Sequence, residues 1–356
     1  MKKTIDGKAL VYADNAYNTP NGKTAHGLVR FTERYEIVGV IDHRYAGQDA
    51  GMVLDNRNYN IPMFKDFSEA VEKLGDKNMP KTLVIGLAPD GGRLPKEAKG
   101  TIKKALELGM NVDSGLHDFL YKDEELMDIA KKNKCRVRDI RKTPDRDELH
   151  FFTGKIEDVD CLKIAILGTD SAIGKRTTAW IIVHAFRKAG LKAEMIGTGQ
   201  TAWMQGAKYS MVMDSCINDF VSGEIEHATY EAWKNESPDL IVVEGQGSLM
   251  NPAYPGGFEI LAAARPDYVV LQHAPKRIEY DGFPGYKLHS LKEQINAIET
   301  ISGRKVIAIT VNHELMTKDE IKPACYAITK ESGLPAYDVL EYGAEDLTEL
   351  LKSYLK

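Results

Sequence analysis

Residues 163–178 read K-I-A-I-L-G-T-D-S-A-I-G-K-R-T-T, and this stretch decides the architecture. Residues 163–167 form a short apolar run of the kind that makes a buried parallel strand. Gly168 and Gly174 then bracket a polar turn, and Lys175-Arg176-Thr177-Thr178 opens a helix carried on by AWIIVHAFRKAG. Strand, glycine loop and helix in that order cradle phosphate. Glycines let backbone N–H groups point inward, the helix N-terminus adds partial positive charge, and a lysine reaches over the loop to a phosphate oxygen. The common spacing is G-x4-G-K-[ST]; here five residues separate the glycines, and Arg176 stands where a magnesium-binding hydroxyl would be. The expected cradle is Gly168, Thr169, Asp170, Ser171, Ala172, Ile173, Gly174, Lys175, Arg176 and Thr177, with Lys175 exposed over it.

The length of 356 residues favours two domains over one. The charge balance, 47 basic against 52 acidic side chains, gives −5 and argues against a nucleic-acid surface. Cys135, Cys161, Cys216 and Cys325 are far apart and form no C-x-x-C, so neither a zinc site nor a disulfide framework is expected, and a reducing cytoplasm is. The start, MKKTIDGKALVYADN, carries a basic pair but an apolar run of only about four residues. A signal peptide needs roughly seven to fifteen and a membrane span about twenty. The expected partners are therefore a small-molecule substrate and further copies of the chain, with no nucleic acid and no membrane.

Working outward toward the N-terminus, ALVYA (9–13) reads as a first strand, followed by a long loop. Gly22-Lys23-Thr24 resembles the tail of a second phosphate loop, but Tyr17 replaces its first glycine. A helix is expected over residues 24–34, then a strand YEIVGVID. Asp42 ends that strand, where a dinucleotide-binding fold often places its ribose-binding acid, although the G-x-G-x-x-G after strand one is missing. Further strands are expected at 82–88, 109–116 and around CRVRDI, with amphipathic helices near SEAVEKLG, PKEAKGTIKKALELG and DEELMDIAKKN. Such alternation implies a doubly wound parallel sheet whose ligands gather beyond the strand C-termini. The polar segment RKTPDRDELHFFTGKIEDVD breaks the pattern and supplies a boundary. The division expected is residues 1–145 and 146–356.

After the phosphate loop, KAEMIG reads as a strand opening into TGQTAWMQGA, whose Thr198, Gln200 and Thr201 are donors at a strand edge. Residues 217–235 read as a helix. Residues 240–243 form a buried strand ending in Glu244-Gly-Gln246-Gly, and an acid in that place can hold magnesium beside bound phosphates. DYVVLQHAP and KVIAITVN complete the strands, leaving Asn312 at a strand end where an adenine-recognising asparagine can sit.

The loop G-T-D-S-A-I-G-K and the step E-G-x-G resemble dethiobiotin synthetase. An ordered set of further segments, K-T-A-H-G-L-V-R, G-V-I-D-H-R-Y-A-G-Q-D-A-G, S-G-L-H-D-F-L, D-I-R-K, I-G-T-G-Q-T, F-V-S-G-E-I-E and E-G-Q-G-S-L-x-x-P-A-Y, is similar to the domain of unknown function 1611 family. The resemblance runs from about residue 8 to about residue 340. It implies a Rossmann-like N-terminal domain and a P-loop C-terminal domain. It also implies acetyl transfer from acetyl-coenzyme A (acetyl-CoA) to the amino group of D-glutamate. The chain departs from the pattern after E-G-Q-G-S and in H-A-P-K-R-I-E-Y.

Two chemistries remain open on the residues. ATP cleavage needs Mg²⁺ across the terminal phosphates, held partly by the hydroxyl after the loop lysine. Arg176 cannot bind a cation, and Thr177 could substitute only if the helix began one residue later. Coenzyme A (CoA) needs only anchoring, which N–H groups, Lys175 and Arg176 supply. Acetyl transfer further requires a base, for which His117, His273 and Glu244 are candidates, and cations for an acidic substrate, for which Arg44, Lys276 and Arg277 are. Gln200 and Gln246 are the polar contacts expected beside them. The alternatives are an ATP and Mg-dependent ligase or kinase, with Glu244 on the metal, and a non-catalytic nucleotide sensor.

Overall fold

The structure, a computed structural model, describes residues 4–356; Met1 and the Lys2-Lys3 pair lie outside the described residues. It divides into two compact units, one running to Thr143 and including Gln200–Gly206, the other made of Pro144–Gly199 and Ala207–Lys356. Each is built on one sheet in which every pairing is parallel, as the alternation of strands and helices implies.

In the first unit β1 (Gly7–Tyr12), β2 (Tyr35–Ile41), β3 (Met63–Phe64), β4 (Thr82–Ile85), β5 (Asn111–Ser114) and β6 (Val137–Asp139) lie in the order β3-β2-β1-β4-β5-β6. That is the order of dinucleotide-binding sheets, with the strand direction of travel reversing between β1 and β4. The loop after β1 packs toward the end of β2. Tyr17 is fully buried, its hydroxyl donating to the Ala50 carbonyl at 2.8 Å and its N–H to Asp42 at 3.0 Å. Gly22 starts the helix Lys23–Arg30, and a Cβ there would come within 2.5 Å of the Ala16 carbonyl, so the glycine serves a tight helix start. The helix stops at Arg30, short of residue 34, because the Thr32 hydroxyl accepts the N–H groups of Arg34 and Tyr35 and turns the chain into β2.

Three expected site residues fall in this unit. Arg44 closes on the fully buried Asp42 through Nε at 2.9 Å and Nη2 at 2.6 Å, so the two are paired with each other. His117 is exposed beyond β5, with its N–H on the Gly92 carbonyl at 2.8 Å. Gln200 begins the short helix Gln200–Gln205 and packs beneath Gly115, where a Cβ would lie 2.6 Å from its Cγ. Gln205 Nε2 donates to the carbonyls of Gly27 and Phe31, and the Arg34 guanidinium lies 3.7 Å over the Trp203 ring. Among the described residues, one trio of His, Cys, Asp or Glu donors lies within 4.8 Å, Asp14, Asp42 and His43, and Glu244 joins no such group.

In the second unit β7 (Leu162–Gly168), β8 (Ala193–Gly197), β9 (Tyr209–Ser210), β10 (Leu240–Glu244), β11 (Tyr268–His273), β12 (Lys305–Val311) and β13 (Ala336–Tyr337) run β13-β12-β11-β7-β10-β8-β9. All seven residues of β7 are buried, which is why its sequence is apolar without alternation except at Lys163, whose Nζ donates to the Val159 carbonyl at 2.9 Å. The helix after it, Lys175–Lys188, ends where Gly190 takes φ +83°. The boundary segment makes only two short turns, Arg146–Glu148 and Lys155–Asp158, and docks on the long helix Asn218–Glu236. The motif F-V-S-G-E-I-E builds this dock. Phe220 packs on Phe151, Glu224 accepts the His150 N–H at 2.7 Å, and buried Glu226 accepts the N–H groups of Thr153 and Ile156.

A Cβ on Gly223 would fall on the His150 carbonyl. Gly223→Ala is therefore expected to cost about 1–3 kcal/mol, as overpacking does, and to open residues 150–156 to limited proteolysis. An unchanged melting temperature with an unchanged digestion pattern would contradict this account of the motif. Among the described residues no helix is long and apolar enough to cross a membrane.

Candidate functional site

The loop between β7 and its helix has the strand–loop–helix layout expected of an anion cradle. Ala172 (φ +53°) and Gly174 (φ +97°) both adopt left-handed backbone, a conformation found in loops that present N–H groups to anions. Gly174 is the N-cap of a 14-residue helix whose first turn carries no side-chain cap and no acidic residue. Such an end favours a negative ligand. Alanine in the left-handed region is strained, so surrounding structure must hold it there.

The hold is centred on Asp170, which is fully buried. Its Oδ1 accepts the Ser171 N–H at 2.7 Å and Asn251 Nδ2 at 2.8 Å. Its Oδ2 accepts Arg277 Nη1 and the Asp281 N–H, both at 2.8 Å. Arg277 also donates to the Ser171 carbonyl and closes on Glu314, a set of partners that holds its guanidinium firmly protonated. Arg277 thus anchors the loop; its fork is already engaged. Asn312 does the same from the end of β12, its Nδ2 donating to the Ile173 carbonyl at 2.8 Å and its Oδ1 accepting the Glu314 N–H. Thr169 is tied to His273 Nδ1 through its hydroxyl at 3.0 Å and to Gln294 through its carbonyl.

Lys175 corrects one expectation. Its side chain is 7% exposed rather than standing open over the cradle. Nζ donates to the Asp170 carbonyl at 2.6 Å and to the Gly247 carbonyl at 2.7 Å, so the charge is folded into the loop. Gly168 permits this, since a Cβ there would lie 2.9 Å from Nζ. The helix begins at Lys175, so the register is unshifted: Arg176 keeps the hydroxyl's place and Thr177 remains the third helical residue.

Glu244 ends β10, the neighbour of β7, and is buried. Oε2 accepts the Thr198 N–H at 2.9 Å, and Gln246 Nε2 donates to the Thr198 hydroxyl at 2.9 Å. Burial pushes its pKa up, against the pull of Arg176, the Thr198 N–H and Lys175. Burial pushes His273 the other way, down to about 4, so the imidazole is neutral at pH 7. Lys276 lies apart from this group, exposed and paired with Glu320 at 2.9 Å.

The structure therefore gathers residues 168–177, Glu244, Gln246, His273, Arg277 and Asn312 of the expected set around one loop. It adds Asn251, Asp281, Gly247 and Gln294, which the sequence reading passed over. The signals for the first two were turn dipeptides, Asn251-Pro252 and Asp281-Gly282.

Comparison with known proteins agrees with this layout. Residues 43–143 match the DUF1611 N-terminal Rossmann-like domain and residues 150–348 match the DUF1611 C-terminal P-loop domain. A D-glutamate N-acetyltransferase of Tritonibacter scottomollicae is 31% identical over 277 residues, covering 76% of this chain and 81% of that one. A protein of the same name from a Pseudoalteromonas species is 30% identical over 273 residues, covering 75% and 80%. The crystal structure of a DUF1611 family protein from Anabaena variabilis superposes with a TM-score of 0.88 at 28% identity, covering 97% of this chain and 99% of that one. A parallel-sheet pair, a lysine-bearing phosphate loop on β7 and family matches over both halves lead to one statement: the chain belongs to the DUF1611 family.

Proposed function

We propose that the chain transfers the acetyl group of acetyl-CoA to the amino group of D-glutamate or a closely related acidic amino acid. In this reading the phosphate loop is a handle for the cofactor's phosphates. The observation that carries the handle is the helix start at Lys175, which leaves Arg176 where a phosphate-cleaving loop would present its magnesium-binding hydroxyl. The reaction itself is supported by two relatives of that name matching three quarters of the chain.

The chemistry asks for a proton acceptor and for donors facing the thioester oxygen. The substrate ammonium gives up a proton, its nitrogen bonds to the thioester carbonyl carbon, and the carbon–sulfur bond breaks. The thiolate of CoA takes a proton as it leaves. A base works best when its pKa lies near the working pH. Glu244, raised by burial against the pull of Arg176 and Lys175, moves in that direction, whereas His273 has moved away from it. In this reading Glu244, at the end of β10 beside the loop, serves as the base, with neutral His273 positioning the loop through Thr169. Loop N–H groups, Lys175 and Arg176 hold phosphate oxygens, each charge-assisted bond contributing about 1.5–3 kcal/mol.

One observation favours a second reading. Glu244 stands on the strand next to β7, where ATP-driven relatives of the fold keep an acid beside magnesium. The two are separated by product analysis. With acetyl-CoA and a panel of D- and L-amino acids, mass spectrometry is expected to show an N-acetyl product with D-glutamate above all others. A product formed only with ATP and a carboxylate substrate would transfer the assignment to a ligase or kinase.

A further inference from the structure

Two turns hang from the Asp170 carboxylate, one from each oxygen. From Oδ1, Asn251 carries the first, its own Oδ1 accepting the N–H groups of Ala253 at 2.9 Å and Tyr254 at 2.8 Å. The Tyr254 carbonyl accepts the N–H groups of Ser248 and Gly256, which keeps this turn against Gly247, the residue whose carbonyl holds Lys175. From Oδ2, the Asp281 N–H carries the second turn, and the Ser171 hydroxyl donates to the Asp281 carboxylate at 3.2 Å. That turn is a small hairpin, closed by the bridge between Glu279 and Lys287 and by the Tyr280 N–H on the Tyr286 carbonyl at 2.9 Å. Buried Tyr280 roots it, its hydroxyl bonded to His289.

The tips of these two turns meet through aromatic rings. Tyr254 and Phe283 have centroids 6.5 Å apart at 66°, and Phe283 and Tyr286 6.3 Å apart at 80°. Tyr254 remains 53% exposed and Tyr286 59% exposed. Rings gathered at the tips of turns this firmly tied present a fixed stacking face. The hairpin carries Glu279, Asp281 and Lys287, and the rings at its tip offer a stacking face to a flat, aromatic occupant.

We propose that Tyr254, Phe283 and Tyr286 form a stacking site for the adenine ring of the ligand whose phosphates the loop holds. This rests on the phosphate-handle reading. Adenine is the chemistry that CoA and ATP share, and it supplies a π face that an acidic amino acid lacks. Base-on-aromatic stacking corresponds to roughly five- to hundredfold in affinity.

Calorimetric titration of the full chain with ADP, CoA, 4′-phosphopantetheine and inorganic pyrophosphate tests the proposal. ADP is expected to bind at least about tenfold tighter than pyrophosphate. Tyr254→Ala and Phe283→Ala, made singly, are expected to erase most of that margin while pyrophosphate and 4′-phosphopantetheine bind as before. CoA weakening in step with ADP supports one adenine site for both sources. Equal binding of ADP to variant and wild type, or ADP no tighter than pyrophosphate, overturns the proposal and leaves the handle standing. Pyrophosphate that fails to bind the wild type overturns the handle itself.

Discussion

Glu244→Gln is expected to lower kcat by roughly 10²–10⁴-fold, the size of a lost general base, and at the same time to raise the melting temperature at neutral pH. Both follow from one fact, the burial of a carboxylate at the end of β10. Burial raises its folded-state pKa above the ordinary 4.5. The fold is therefore most stable with Glu244 protonated. That contribution is complete below the unfolded-state pKa and is lost as the pH rises through the folded-state value. Glutamine mimics the protonated acid at every pH and still accepts the Thr198 N–H. The variant should melt higher than wild type at pH 7–8, by roughly 2–4 °C per kcal/mol recovered, and the two curves should converge near pH 4. A pH series of melts beside a pH–rate profile checks this. An unchanged kcat, or a lower melting temperature across pH 6–8, would contradict the assignment.

Lys175→Met is expected to weaken CoA by roughly 10- to 150-fold, the loss of a charge-assisted bond of about 1.5–3 kcal/mol. The buried position adds a second effect that an exposed lysine would not have. Nζ donates to the carbonyls of Asp170 and Gly247, and removing it strands both, at about 1–3 kcal/mol. The variant should thus melt lower on its own and gain less from ligand. Wild type at a hundredfold excess of ligand over Kd gains about 2.7 kcal/mol. Thermal melts with and without CoA measure both. A ligand-induced shift equal to wild type would remove Lys175 from the site.

The sequence carried the second unit's centre because local chemistry decides it. Seven buried residues of β7 leave no place for polar alternation, and Gly174 at φ +97° admits little but glycine. The edge strands β3, β9 and β13 were not legible, for each is two residues long and has no period to read. The grouping of residues 200–206 with the first unit was not legible either. It rests on Gln205 and Trp203 meeting residues about 170 positions away. The same holds for the loop's supports: Asn251 and Arg277 reach Asp170 across 81 and 107 residues. Arg277 and Arg44 read as open cations because their carboxylate partners are set by folding, and Lys175 read as exposed because a loop carbonyl has no signature in sequence.

The loop is expected to hold phosphates without cleaving them. Thiol release from acetyl-CoA in the presence of D-glutamate, followed beside phosphate release and in excess chelator, tests it most directly. Thiol release is expected to match the N-acetyl-D-glutamate formed, undiminished by the chelator, with no phosphate liberated. Phosphate release that needs a divalent metal, with no thiol released, would contradict it.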